Sequence, residues 1–131
     1  MNIRMPASQS AVQHAKSIAA ALLEPGDLMA HVQRRMEELA GDSLVDPGAR
    51  MVHDHLDTGG KRLRARLALG ACEALGGRGE RAIDWAAAVE LLHNASLIHD
   101  DLQDGDRTRR GRPALWARYG AAQAINAGDL L

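Results

Sequence analysis

ERAIDWAAAVELLHNASLIHDDLQD, residues 80–104, carries apolar side chains at helical spacing through Ala87, Leu91, Leu92, Ala95, Leu97 and Ile98 and ends in three carboxylates. Apolar positions three and four apart over such a length specify an α-helix, and one this apolar belongs among other helices. Composition agrees. Aromatics are 2% of the chain, Trp85, Trp116 and Tyr119 with no Phe, while Ala and Leu dominate, which favours helix over β-sandwich. With 131 residues, 46% apolar and 25% charged, the chain has the usage of one folded domain rather than of a disordered segment. We therefore expect an all-α protein.

Helix punctuation orders the remainder. Residues 8–23 place Val12, Ala15, Ile18, Ala19 and Leu22 on one face and stop at Glu24-Pro25-Gly26. A second helix starts after Asp27 as N-cap and runs to about Ala40. A third opens on Asp46-Pro47, an N-cap followed by proline at the first helical position, and ends at Thr58-Gly59-Gly60. A fourth runs from Lys61 to about Leu75. Beyond Asp104 comes a charged loop, GDRTRRGR, after which Pro113 starts another helical stretch broken near Gly120.

A formal charge of −1 argues against a nucleic-acid binder. The single Cys72, inside an apolar run, excludes an intramolecular disulfide and a cysteine zinc site. The N-terminus lacks the apolar core of a signal peptide, and no stretch approaches the roughly 18 apolar residues of a membrane span, so a cytoplasmic protein is expected. Charge is unevenly spread: residues 1–60 hold 5 basic and 8 acidic side chains, residues 61–131 hold 11 and 9. The chemistry is concentrated in the second half.

Asp100 and Asp104 are one helical turn apart, about 6 Å of rise, so their carboxylates can converge on one ligand. With Asp101 between them, the three acids repel one another and oppose the helix dipole at its C-terminal end. Spacing alone leaves a solvated acidic helix end open as a reading. The functional remedy is a hard divalent cation with oxygen ligands, Mg²⁺ above all. Context favours it: Arg107, Arg109, Arg110 and Arg112 follow the acids, and Lys61, Arg62, Arg64 and Arg66 precede them. Guanidinium is a preferred fork for phosphate oxygens, and a metal flanked by arginines holds diphosphates. GGKRLR lacks the spaced glycines of a nucleotide loop, so the diphosphate is not that of a nucleotide. His93, two turns before Asp100, can reach a second anion, although a lone histidine in an apolar helix is ordinarily a core residue. His99 points about 100° away from Asp100. His53 and His55 show no metal pattern and read as surface or packing residues.

GGKRLRARL, ELLHNASLIHDDLQDGDRTRRGRPALW and YGAAQAINAGDLL, in this order and spacing, resemble the N-terminal half of the trans-isoprenyl diphosphate synthases, or polyprenyl synthetases, from about residue 51 to the end. The resemblance implies the N-terminal helices of an isoprenoid synthase bundle. Residues 1–50 would be N-terminal helices, and 51–131 the substrate-binding helices with the first aspartate-rich motif. It implies that Asp100 and Asp104 hold Mg²⁺ against an allylic diphosphate with Asp101 in support. Lys61, Arg64 and His93 would bind isopentenyl diphosphate, Arg109 would face the allylic diphosphate, and Arg110 the isopentenyl one. The allylic C–O bond would then ionise, the isopentenyl double bond would attack the cation, and a proton would leave. Ser96 and Ala95, four and five residues before Asp100, are small, which implies products of twenty carbons or longer. Two departures stand out: Ala65 replaces the usual proline after GKRLR, and a second aspartate-rich motif is absent. Relatives are more than twice this long, so the sequence reads as an N-terminal piece, whether truncated, proteolysed or half of a split enzyme. Alone it is expected to lack turnover, and the full-length form is expected to be a homodimer.

Three function classes follow. The first is the elongating prenyltransferase. The second is a non-catalytic or partner-dependent subunit, for which the missing second motif speaks. The third is a class I terpene cyclase, against which Lys61, Arg64, His93 and Arg110 count, since cyclases need no second diphosphate site.

Overall fold

The computed structural model describes residues 27–131, in which six helices run α1 (Asp27–Leu39), α2 (Pro47–Leu56), α3 (Leu63–Ala74), α4 (Ile83–Asp104), α5 (Leu115–Tyr119) and α6 (Ala121–Leu130). The helix expected over 8–23 lies outside the described residues. Among those described, no helix is long and apolar enough to cross a membrane.

The starts and stops have local causes. Asp46, in extended conformation, accepts from the Gly48 N–H and caps α2, with Pro47 behind it, as its sequence predicts. A 3₁₀ turn (Gly79–Ala82) leads into α4, which begins a little later than the pattern indicates. α4 closes at Gly105, φ 73°, where the Gly105 N–H reaches the Leu102 carbonyl and the Asp106 N–H reaches Asp101 at 2.9 Å. This is the Schellman arrangement, and it reverses the chain immediately after the acids.

Two expectations need correction there. The segment after Asp106 is a minimal antiparallel hairpin, β1 (Thr108–Arg109) and β2 (Arg112–Pro113), with Arg109 opposite Arg112. Its turn residues Arg110 and Gly111 both have positive φ, 50° and 78°, which matches the right-handed twist of short strands. Pro113 belongs to that hairpin, and the helix starts only at Leu115. The Trp116 indole N–H holds the Asp106 carbonyl at 2.7 Å and Arg107 lies over the same ring, so α5 clamps the base of the hairpin.

α4 is the axis of the bundle, packing against α1, α3 and α6, while α2 lies along α6. Its buried arc is Ala86, Ala87, Glu90, Leu91, Asn94, Ala95, Ile98 and Asp101. The apolar pattern therefore divides: Leu91 and Ile98 face the core, whereas Leu92 is 71% exposed. α6 approaches α4 through Gly128, where any Cβ would strike the His99 ring. Val32 and Met36 of α1, Val52 and Leu56 of α2 and Leu69 of α3 complete the core.

Candidate functional site

GGKR forms the entrance to α3 rather than its first turn. Gly59 and Gly60 have φ of 77° and 148°, and Arg62 is left-handed at φ 49°, so the expected helix from Lys61 begins at Leu63. Gly60 is favoured by its backbone angle, and the Arg110 guanidinium lies close over it, with Nη1 2.8 Å from where a Cβ would stand. The hairpin turn thus carries Arg110 back across the glycine loop, where it also reaches Thr58.

The result is an open cavity of about 440 Å³ lined by Lys61, Arg64, His93 and Arg110, with Glu90 and Asn94 in its wall. Arg62 turns inward instead, donating to Gln33 Oε1 at 3.1 Å and the Leu56 carbonyl at 3.2 Å, and burial pushes its pKa down. Burial lowers the His93 pKa as well, and Arg64 adds to the shift. His93 therefore offers a neutral ring among three cations, a set suited to a polyanion.

Asp100 and Asp104 project from the exposed side of the end of α4, and neither makes an ion pair among the described residues. Asp101 is different. It is 2% exposed, and Arg109 closes on it from the hairpin, with Nε 2.8 Å from both carboxylate oxygens and Nη2 2.5 Å from Oδ1. These hydrogen bonds raise the Arg109 pKa further. The three acids are thus two outward ligand candidates and one neutralised inward partner. No group of three or more His, Cys, Asp and Glu among the described residues is arranged to enclose a metal. Two carboxylates nevertheless fit Mg²⁺, which keeps waters and commonly takes one or two carboxylates together with substrate phosphates.

Behind Arg109 lies a polar cluster that the sequence reading left unassigned. His55 is buried, and burial drives its pKa down to about 4, with Arg109 and Arg110 adding to that and Asp101 opposing it. Asn94 donates to the Glu90 carbonyl at 2.7 Å and lies near His55 without a well-formed hydrogen bond, leaving His55 Nε2 and Asn94 Oδ1 buried without partners among the described residues. Of the two small residues before the acids, Ala95 is buried and Ser96 exposed, its hydroxyl donating to the His93 carbonyl.

Residues 47–131 match the polyprenyl synthetase family. The chain is 40% identical over 114 residues to a short chain isoprenyl diphosphate synthase of Methanothermobacter thermautotrophicus, covering 84% of this chain and 35% of that relative. It is 50% identical over 78 residues to a geranylgeranyl diphosphate synthase of Saccharolobus solfataricus, covering 59% of this chain and 24% of the relative. The crystal structure of a geranylgeranyl pyrophosphate synthetase from Pyrococcus horikoshii superposes with a TM-score of 0.76 at 35% identity, over 90% of this chain and 35% of that one. The chain spans about a third or less of the length of these relatives.

Proposed function

The chain belongs to the polyprenyl synthetase family, and from that premise we propose that it carries the substrate-binding helices of a Mg²⁺-dependent trans-prenyltransferase. Such an enzyme condenses isopentenyl diphosphate with an allylic diphosphate into a trans-polyprenyl diphosphate of twenty carbons or more. The observation that carries this reading is the convergence of Lys61, Arg64, His93 and Arg110 on one cavity beside a helix that ends in two exposed carboxylates with no ion pair among the described residues. One anion-binding cavity plus one oxygen-ligand pair provides for two diphosphates. A class I cyclase has use for only one of them.

In this reading Lys61, Arg64 and Arg110 neutralise the isopentenyl diphosphate, and the neutral His93 ring donates one hydrogen bond to it. Asp100 and Asp104 would hold Mg²⁺, which supplies charge stabilisation to a departing allylic diphosphate. Asp101 holds Arg109 so that the guanidinium faces the same region with its plane fixed. Leu92, Ser96 and Val89 extend from Asp100 along one side of α4 and offer the tail no nucleophile stronger than a hydroxyl already committed to a carbonyl. Ser96 is the small residue on that side, and Ala95 faces the core instead, so the reading of a longer product rests on Ser96. The full-length form is read as a cytoplasmic homodimer.

Titration calorimetry of the chain tests the assignment of the two sites. Asp100→Asn with Asp104→Asn should weaken Mg²⁺-dependent geranyl diphosphate binding by about tenfold or more and leave isopentenyl diphosphate within about threefold. Lys61→Ala with Arg64→Ala should do the reverse. Equal losses of both ligands in both variants would refute two separate sites.

A further inference from the structure

Among the described residues, Glu90 is the only acid in the wall of the cationic cavity, and it is 2% exposed. Simple electrostatics gives it the wrong sign for an anion site. Its hydrogen bonds explain its presence. Oε1 accepts from the Arg64 N–H at 2.8 Å and the Ala65 N–H at 3.0 Å. These are among the first backbone donors of α3, which have no partner within their own helix. The residue at the cap position, Arg62, is left-handed and makes no side-chain cap. The cap of α3 is therefore delivered from the side of α4.

Two consequences follow. Two of the helix-end donors that could otherwise meet a phosphate, the Arg64 and Ala65 N–H groups, are already taken, so an anion in this cavity relies chiefly on the surrounding side chains. The backbone of Arg64 is also fixed relative to His93, which stands one turn beyond Glu90 on the same helix. The same carboxylate offsets the inward-turned Arg62, whose charge it favours. Resting on the function proposed above, we propose that Glu90 is a positioning residue of the diphosphate cavity: it docks the start of α3 onto α4 so that Lys61, Arg64, His93 and Arg110 are correctly spaced before the anion arrives.

The sign of the mutational effect separates positioning from charge. Glu90→Gln keeps an oxygen that can accept both N–H groups and removes the charge; Glu90→Leu removes both. Isopentenyl diphosphate binding is measured by calorimetry, and the Arg64 and Ala65 amides are followed by hydrogen exchange. For Glu90→Gln we expect affinity within about threefold of the parent and protected amides. For Glu90→Leu we expect a loss of about tenfold or more and faster amide exchange, although a repelling charge has gone. Geranyl diphosphate binding with Mg²⁺ should stay within about threefold in both. If Glu90→Leu does not fold, Glu90→Asp replaces it, since the carboxylate is retained but drawn back from the two amides, and a loss of about fivefold is expected. Equal or tighter isopentenyl diphosphate binding by Glu90→Leu, or by Glu90→Asp in its place, overturns the positioning role and leaves the proposed function standing. A parent chain that binds no isopentenyl diphosphate overturns both.

Discussion

The Asp101–Arg109 pair should respond asymmetrically to loss of either partner. Asp101 is 2% exposed and its carboxylate depends on Arg109, whereas the Arg109 side chain retains 22% exposure at the surface of the hairpin. Arg109→Met keeps much of the aliphatic stem but leaves a buried carboxylate without its counter-ion, a situation that costs about 3–5 kcal/mol. Asp101→Asn leaves a guanidinium with a short route to water, so the loss is nearer the ~1.5–3 kcal/mol of a charged hydrogen bond. Against a total stability of about 5–15 kcal/mol, the first change is severe and the second moderate. Urea denaturation at neutral pH measures both. Asp101→Leu combined with Arg109→Met should recover part of what Arg109→Met loses, because no charge is left buried. Arg109→Met within about 1 kcal/mol of the parent, or a double variant no better than Arg109→Met alone, would refute the reasoning.

Two other perturbations are as specific. Burial holds the His55 pKa near 4 against about 6.5 unfolded, so between these values the unfolded chain binds the extra proton and stability rises with pH. Urea melts should therefore show stability falling as pH drops below about 6.5, by about 2 kcal/mol at pH 5 and about 3 kcal/mol near pH 4. The lowered His93 adds to this slope, so the check is the difference from His55→Gln, whose curve should be flatter; identical slopes would contradict it. Gly128→Ala would set a methyl 2.7 Å from His99 Cδ2 at the α4–α6 crossing. An overpacking cost of about 1–3 kcal/mol is expected in thermal melts, and His99→Ala should relieve most of it; a loss that persists in the double variant would point to the helix backbones instead.

What was legible in the sequence was local. Asp46-Pro47 marks the start of α2 because cap and helix lie within three residues, and Gly105 ends α4 for the same reason. The start of α3 could not be read this way, since its cap comes from Glu90, 26 residues away along the chain. The hairpin was hidden by its composition. Arg110-Gly111 is a weak turn signal beside Asn-Gly or Asp-Gly, and two-residue strands leave no alternation to detect. Four candidate site residues, Lys61, Arg64, His93 and Arg110, are brought together by the fold, whereas Arg109 is drawn off to Asp101. That division cannot be seen from spacing, which presents three equivalent acids; it depends on the chain reversal at Gly105, which brings only one arginine back over Asp101. His55, read as a surface or packing residue, became part of a buried polar cluster because α2 packs that side of it inward.

α4 shows how one helix can be both core and ligand platform. At about 100° per residue, Glu90, Asn94 and Asp101 fall within about 40° of one another on the inward side, and His93, Asp100 and Asp104 within a similar arc beside them. The inward set carries polarity into a core that gains nothing from it directly, since each group must be desolvated. Each of the two carboxylates spends that cost on a different structure: Glu90 holds the glycine loop and α3, and Asp101 holds the hairpin. These are the two segments that supply Lys61, Arg64 and Arg110. An apolar stripe in those positions would stabilise the bundle at least as well but would leave both loops free to move, and the cations would then have to be ordered at the moment of binding. On the proposed function, the buried acids of α4 are devices for presenting cations, with the outward acids left as the candidate ligands of a metal that the fold itself does not enclose.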